Sequence, residues 1–346
     1  MFDLNRLRYY HLLDETKEQF KLNLSGVKVI TEAANGYYSA PVLLAALAGA
    51  EVVAVGKDSS YASFEQVKAE IEKHAIQLRL SDKIYLTDNR FDQALIGGDI
   101  VTNLNFVRPL DQQLLEHIGS QTIVCYMCEN WEVRPGDVDF VFCDKHNIPI
   151  YFSDEDSKHG HLFPMAGLVA LKLIFESGAG LADDRVAILS SDRFGPVIKS
   201  IVKKYAYKTK LFRAPDYDGY EKNRWDLVIV AEYAQAEQII GQLMPTERLL
   251  SQLTPGATLI QFAGNNNLEQ LKQQQFNIFP PDPLPPLKMA RTFGYLGPRP
   301  IVMYNAIGLK VGQTAVEGKK KNLSGSELDQ YVVNHAPAQL MVKNEM

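Results

Sequence analysis

The sequence predicts an α/β protein built from two doubly wound parallel-sheet domains with a cleft between them. Three observations predict it. Short apolar runs alternate with amphipathic helical patterns along most of the chain, the mark of parallel sheets covered by helices on both faces. Residues 185–213 form one complete strand–turn–helix–strand unit: a β-branched run at 186–189, a polar turn, an exit through Phe194 and Gly195, an amphipathic stretch and a second apolar run. At 346 residues and 46% apolar, the chain can bury two ordinary cores, which favours two domains over one.

Taken in order, residues 3–20 set Leu4, Leu7, Leu12, Leu13 and Phe20 among charges at roughly helical spacing, a lead-in helix or pair of helices. Residues 27–31 read as a buried strand, and the apolar stretch after Pro41 as a helix, since proline is tolerated at a helix start. The alternation continues with a strand at 51–55, a helix near 62–75, strands at 83–86 and 99–102, a helix near 111–118 and a strand at 122–126. Residues 136–152 give a short helix and a strand, and the acidic loop 154–161 opens a long apolar helix at 163–176. After the unit at 185–213 come a strand at 226–231, a helix near 235–243, the mixed segment 246–262 and a strand at 276–279. Residues 280–286, ProProAspProLeuProPro, must be an extended loop, because proline supplies no amide donor and restricts its neighbour. A strand at 300–304 is followed by a helix that returns to the first domain, and Ser324 with Glu327 fits a capping box for a last short helix. The expected domains are therefore 1–156 plus 305–346, and 157–304.

Composition narrows the partners. A formal charge of −5 spread over mixed segments leaves no basic stripe for nucleic acid. No apolar run approaches the length that spans a bilayer, and the first 28 residues carry charges throughout. Three cysteines are too few and odd in number for a disulfide framework, which points to a reducing compartment and a cytoplasmic protein. Cys125, Cys128, Cys143 and His146 form two close pairs that look like a structural zinc set, but Cys125 ends a buried strand and Cys143 sits on an apolar helix face, so packing is the expected role. The expected partner is a small molecule.

In parallel sheets ligands bind outside the carboxyl ends of the strands, so the loops leaving those ends come first. Here they carry Glu32, Asn35, Tyr37 and Tyr38, then 56–60, then Asn103 and Asn105, then Glu129, Asn130, Trp131 and Arg134. As a group they form a substrate wall, with Asn35, Tyr37, Asn103 and Lys158 of the acidic loop as substrate-binding candidates. In the unit at 185–213 the turn stands where a dinucleotide site reads GxGxxG, and its three glycine positions hold Ser190, Asp192 and Gly195. The Ser190 hydroxyl can donate to phosphate, while Asp192 repels it unless Arg193 compensates. Ser190, Ser191, Arg193, Phe194, Gly195 and Arg213 are the cofactor-binding candidates. Arg213, near the end of the second strand, suits a 2′-phosphate, which leaves NAD and NADP equally open, with weak binding or none as the cost of the altered turn.

Four phrases resemble the D-isomer-specific 2-hydroxyacid dehydrogenases: 137–150, AspValAspPheValPheCysAspLysHisAsnIleProIle; 254–264, ThrProGlyAlaThrLeuIleGlnPheAlaGly; 279–286, PheProProAspProLeuProPro; and 302–308, ValMetTyrAsnAlaIleGly. The resemblance implies a flavodoxin-like substrate domain in the first half, a Rossmann-like nucleotide domain in the second, and a homodimer. It also places the family's catalytic roles. The substrate-clamping arginine falls on Ala263, the proton-transferring histidine on Asn305 and its partner glutamate on Asp282. Alanine cannot hold a carboxylate, and asparagine cannot exchange a proton near neutral pH. His159 and His161 of the acidic loop are the replacement acid–base candidates, beside Asp282 and Asn305. The expectation is a divergent NAD(P)-dependent oxidoreductase acting on a small polar metabolite. The alternative is a non-redox enzyme, or a catalytically silent binding or regulatory protein, that keeps the fold.

Overall fold

A computed structural model describes residues 4–158, 160–213, 224–274 and 276–341. In chain order its first elements are α1 (Leu4–Phe20), β1 (Lys28–Glu32), α2 (Ala40–Leu47), β2 (Glu51–Val55), α3 (Phe64–Leu78), β3 (Ile84–Thr87), β4 (Ile100–Thr102), α4 (Gln112–Ile118), β5 (Ile123–Tyr126), α5 (Phe140–Lys145) and β6 (Ile150–Ser153). The chain continues with α6 (Met165–Glu176), β7 (Arg185–Leu189), α7 (Phe194–Val202), β8 (Lys208–Phe212), β9 (Trp225–Ala231), β10 (Gln238–Ile240), α8 (Thr246–Ser251) and β11 (Leu253–Ala263). It ends with β12 (Asn265–Asn266), α9 (Glu269–Gln273), β13 (Asn277–Phe279), α10 (Pro298–Lys320), α11 (Gly325–His335) and β14 (Ala338–Gln339). Among the described residues no helix is long and apolar enough to cross a membrane.

Contacts divide the chain into two units, Met1–His161 with Pro298–Met346, and Leu162–Gly297. The divisions thus fall at 161/162 and 297/298. The expected strand at 300–304 is the opening of α10, and the second division precedes it. Residues 300–303 are buried together, so their apolar run carries no helical period to distinguish it from a strand.

The first unit holds a seven-stranded sheet in the order β14-β6-β5-β4-β1-β2-β3, parallel except for β14. Its central strands are Val- and Ile-rich and buried on both faces, as helices on both sides require. α3 is started by a capping box in which the Ser63 side chain accepts from the Gln66 amide and the Gln66 side chain accepts from the Ser63 amide. α10 packs against β4, β5 and β6 and against α1 and α2. A Cβ at Gly308 would collide with Met127 Sδ, and one at Gly312 would stand 2.8 Å from Cys125 Sγ, so these glycines set how closely the helix approaches β5. The core around β1, β4 and β5 includes Ile30, Val101, Val124, Tyr126 and Phe152. The Ser324–Glu327 capping box does not form: Gly325 has φ +51°, the Ser324 side chain caps nothing, and the Glu327 amide donates to the Ser324 carbonyl at 3.2 Å.

The second unit holds a five-stranded parallel sheet in the order β13-β11-β9-β7-β8 and a separate pair, β10 with β12. The expected helix near 235–243 is thus a strand with a turn: Ile239 and Ile240 are adjacent and both fully buried, and they pack into the core of β9 and β11 rather than along one helical face. Both sheets are doubly wound α/β, as the sequence predicts. Counted among the described residues of each unit, the first sheet runs 3-2-1-4-5-6 with β14 at its edge, the order of the dinucleotide fold, and the second runs 2-1-3-4-5. Alternation along the chain does not encode on which side of the central strand each later strand is added.

Candidate functional site

Each sheet has a switch point, where the chain turns from adding strands on one side to adding them on the other, and a crevice opens there at the carboxyl ends. In the first unit it lies between β1 and β4. The parallel register pairs Ile30 with Val101, and one residue on the Thr31 and Thr102 hydroxyls hydrogen-bond at 2.9 Å. One residue further stand Glu32 and Asn103, 7% and 4% exposed. Asn103 Oδ1 accepts from the Met127 amide at 2.7 Å, which fixes the orientation of its carboxamide. Glu32 Oε2 accepts from the Phe106 amide at 3.4 Å, a long hydrogen bond for a buried carboxyl. Burial pushes the Glu32 carboxyl up to about 7, against the opposing pull of the Phe106 amide, the Arg108 guanidinium and the Asn105 amide. Arg108 itself is held by Asp137 through both carboxylate oxygens, at 2.8 and 2.7 Å. Lys57, just beyond β2, places its Nζ 5.6 Å from the centre of the Phe106 ring.

In the second unit the switch point lies between β7 and β9, and there the turn 190–193 is filled by its own acid. Asp192 Oδ1 accepts from the Phe194 amide at 2.8 Å and the Ser190 hydroxyl at 3.2 Å, while Oδ2 accepts from the Tyr233 amide at 2.6 Å and the Ala234 amide at 3.2 Å. The carboxylate thus takes the amide at the start of α7 and two amides of the loop after β9, the kind of donors with which such a turn holds phosphate. Burial pushes Asp192 up to about 6, the amides of Phe194 and Tyr233 pull it back, and the neighbouring Glu232 charge raises it again. Glu232 is fully buried and accepts from the Ser191 hydroxyl at 2.8 Å.

The structure therefore brings Ser190, Ser191, Phe194 and Gly195 together in one turn. Gly195 is needed for packing, since a Cβ would stand 2.6 Å from Ser190 Cβ and 2.8 Å from Leu211 Cδ1. Phe194 is a core side chain, its ring 5.1 Å from Phe163, 5.3 Å from Phe262 and 5.7 Å from Tyr233. The Arg193 guanidinium lies 4.7 Å from the Phe163 ring, and Arg213 is exposed beyond β8. Of the other candidates, Asn35 precedes and Tyr37 stands in the short 3-10 turn Gly36–Ser39 after β1, with the Tyr37 ring 5.4 Å from Tyr9. Lys158 and His161 are exposed, His161 with φ +44°, and His159 lies outside the described residues. Asp282 is exposed, and its backbone carbonyl accepts from Gln261 Nε2 at 2.9 Å. Asn305 is buried in α10, where its Nδ2 donates to the Ile301 carbonyl at 2.8 Å, a bond within the helix. Asp282 and Asn305 belong to different units.

Burial pushes the thiols of Cys125 and Cys143 up to about 12, and Cys128 Sγ lies 3.0 Å from Tyr304 Oη. Among the described residues no three His, Cys, Asp or Glu side chains are grouped as a metal site. Two surface depressions, of about 430 and 420 Å³, lie over α11 and at the amino ends of β7, β9 and β11, away from both switch points. Two residues carry more than their sequence context suggests. Glu32 reads only as one polar loop residue among many, and no motif singles out Glu232, although each is an acid closing the apolar run of a strand beside a switch point.

No family model and no curated sequence matches the chain. Solved structures do. A dipicolinate synthase chain from Bacillus subtilis superposes with a TM-score of 0.52 at 12% identity, covering 87% of this chain and 99% of that one. The dipicolinate synthase chain from Bacillus halodurans gives 0.51 at 12% identity, covering 85% and 98%. The likeness is one of fold.

Proposed function

We propose that the chain is a non-redox relative of the dehydrogenase fold, one that binds or converts a small polar metabolite without a nicotinamide dinucleotide in the β7–α7 turn. Asp192 carries this reading. A pyrophosphate entering the turn meets amides of Phe194, Tyr233 and Ala234 that already face a carboxylate, and it must displace that carboxylate against like-charge repulsion. The family's catalytic positions add to it, since Ala263 and Asn305 are buried side chains with no acid–base capacity near neutral pH.

The second reading is an NAD(P)-dependent oxidoreductase, favoured by Gly195, whose packing against Ser190 keeps the close strand-to-helix approach of a dinucleotide turn. In that reading Ser190, Ser191, Arg193 and Arg213 hold NAD or NADP. Calorimetric titration with NADH and NADPH separates the two. The first reading expects no saturable heat from the wild type at millimolar cofactor, and a gain of binding in Asp192→Gly. Micromolar binding to the wild type overturns it.

A further inference from the structure

We propose that Glu32 and Asn103, side by side at the carboxyl ends of β1 and β4, form a binding site for the vicinal diol of a ribosyl group or a free sugar. This deepens the metabolite-binding reading above and does not depend on the closed turn of the second unit.

Both side chains leave neighbouring strands one residue beyond the bonded Thr31–Thr102 pair, so they point to the same face. Such strands lie about 4.8 Å apart. Because Asn103 Oδ1 is committed to the Met127 amide, its Nδ2 is left as a donor of fixed direction, and it makes no hydrogen bond among the described residues. The Glu32 carboxyl is under-partnered: among the described residues its hydrogen-bond donors are the Phe106 amide at 3.4 Å and the weaker Asn105 amide, Arg108 acts on it only through its charge, and two oxygens can take about four donors. Both residues are more than nine-tenths buried, with 7% and 4% of their surface left exposed. Buried polar groups are ordinarily satisfied, and an acceptor beside a fixed donor left open at a switch point is what a ligand would complete.

The donor and acceptor count selects the ligand. Two adjacent hydroxyls can each donate to one Glu32 oxygen, while one hydroxyl oxygen accepts from Asn103 Nδ2. A carboxamide satisfies only one of the two carboxylate oxygens, and a carboxylate ligand is repelled by ionised Glu32. The charges facing Glu32 are few. Arg108, in the loop after β4, is held by Asp137, and Lys57 beyond β2 lies against Phe106. The neighbouring β2 and α2 present buried apolar residues. Diol binding needs the ionised carboxyl, whose ionised fraction rises about tenfold between pH 6 and pH 8 for a group held near 7.

The test is calorimetric titration at pH 6 and pH 8 of adenosine and ribose 5-phosphate as ribosyl probes, of D-glucose and myo-inositol as free polyols, and of 2′-deoxyadenosine as the diol-free control. At least one diol probe is expected to bind, about tenfold more tightly at pH 8 than at pH 6. Which set binds distinguishes ribosyl from free-sugar chemistry, and 2′-deoxyadenosine should not bind. Glu32→Gln, which keeps the size of the side chain, should weaken binding at pH 8 by about tenfold or more and remove the pH dependence. The proposal is overturned if no diol probe binds at millimolar concentration at pH 8, or if binding ignores Glu32→Gln. NADPH binding that responds to Asp192→Gly but not to Glu32→Gln overturns only the closed-turn reading, since the diol probes decide this site separately.

Discussion

Replacing Glu32 by glutamine should make the protein more stable at pH 8, although it removes a side chain at the candidate site. The carboxyl is buried, makes one long hydrogen bond to the Phe106 amide, and is raised from the usual carboxylate range to about 7. The sign follows from linkage. Between its unfolded and folded values the native state binds more protons than the unfolded chain, so the stability from this group is fully present below about 4.5 and is lost as the pH rises through about 7. Integrated from pH 5 to pH 8, the loss is about 2–3 kcal/mol. A glutamine carries no charge to desolvate, and its carbonyl can still accept from the Phe106 amide. Urea denaturation of both proteins at pH 5 and pH 8 cancels the titration of every other group in the difference. The variant is expected to gain about 2–3 kcal/mol on the wild type across that interval. A pH-independent difference, or a variant less stable than the wild type at pH 8, refutes the burial of an under-partnered carboxyl at this strand end.

Asp192 is also a raised, buried carboxyl, yet Asp192→Asn should destabilise. Its two oxygens take four donors, an amide nitrogen must face some of them, and about 2–3 kcal/mol is expected from thermal unfolding and from faster exchange of the Phe194, Tyr233 and Ala234 amides. Gly195→Ala should cost about 1–3 kcal/mol by denaturation, because its Cβ would press on Ser190 and Leu211. A homodimer is expected through α6, which exposes Leu168 and Phe175 one heptad apart, and light scattering should return twice one chain's mass for the wild type and one for Phe175→Glu. Lactate, glycerate and glyoxylate should show negligible turnover with either nicotinamide cofactor, as followed by absorbance.

Most of the architecture was legible because both sheets are buried on two faces. Strands such as Glu51–Val55 and Arg185–Leu189 are continuous apolar runs set between helical patterns, and that contrast survives without any partner information. Legibility failed where burial erased the period, as in residues 300–303 at the head of α10, or where two adjacent inward residues made a short strand, as with Ile239 and Ile240. The site was legible by type and place but not by role. Asp192 reads as an acid that repels phosphate, but its partners Tyr233 and Ala234 lie 41 and 42 residues away, and only the fold brings their amides to it. Glu32 reads as one more polar loop residue, because its surroundings follow from β4 pairing beside β1 and from the loop after β4 bringing the Phe106 amide to it. Strand order, which decides where each crevice opens, leaves no trace in the alternation.

The most direct measurement of the central claim is hydrogen–deuterium exchange of the 190–195 and 232–234 segments with and without millimolar NADPH. With Asp192 already on the Phe194, Tyr233 and Ala234 amides, these segments should be protected without cofactor and unchanged by it. Fast exchange in the free protein, with protection appearing only when NADPH is added, would show an open cofactor turn and contradict the non-redox reading.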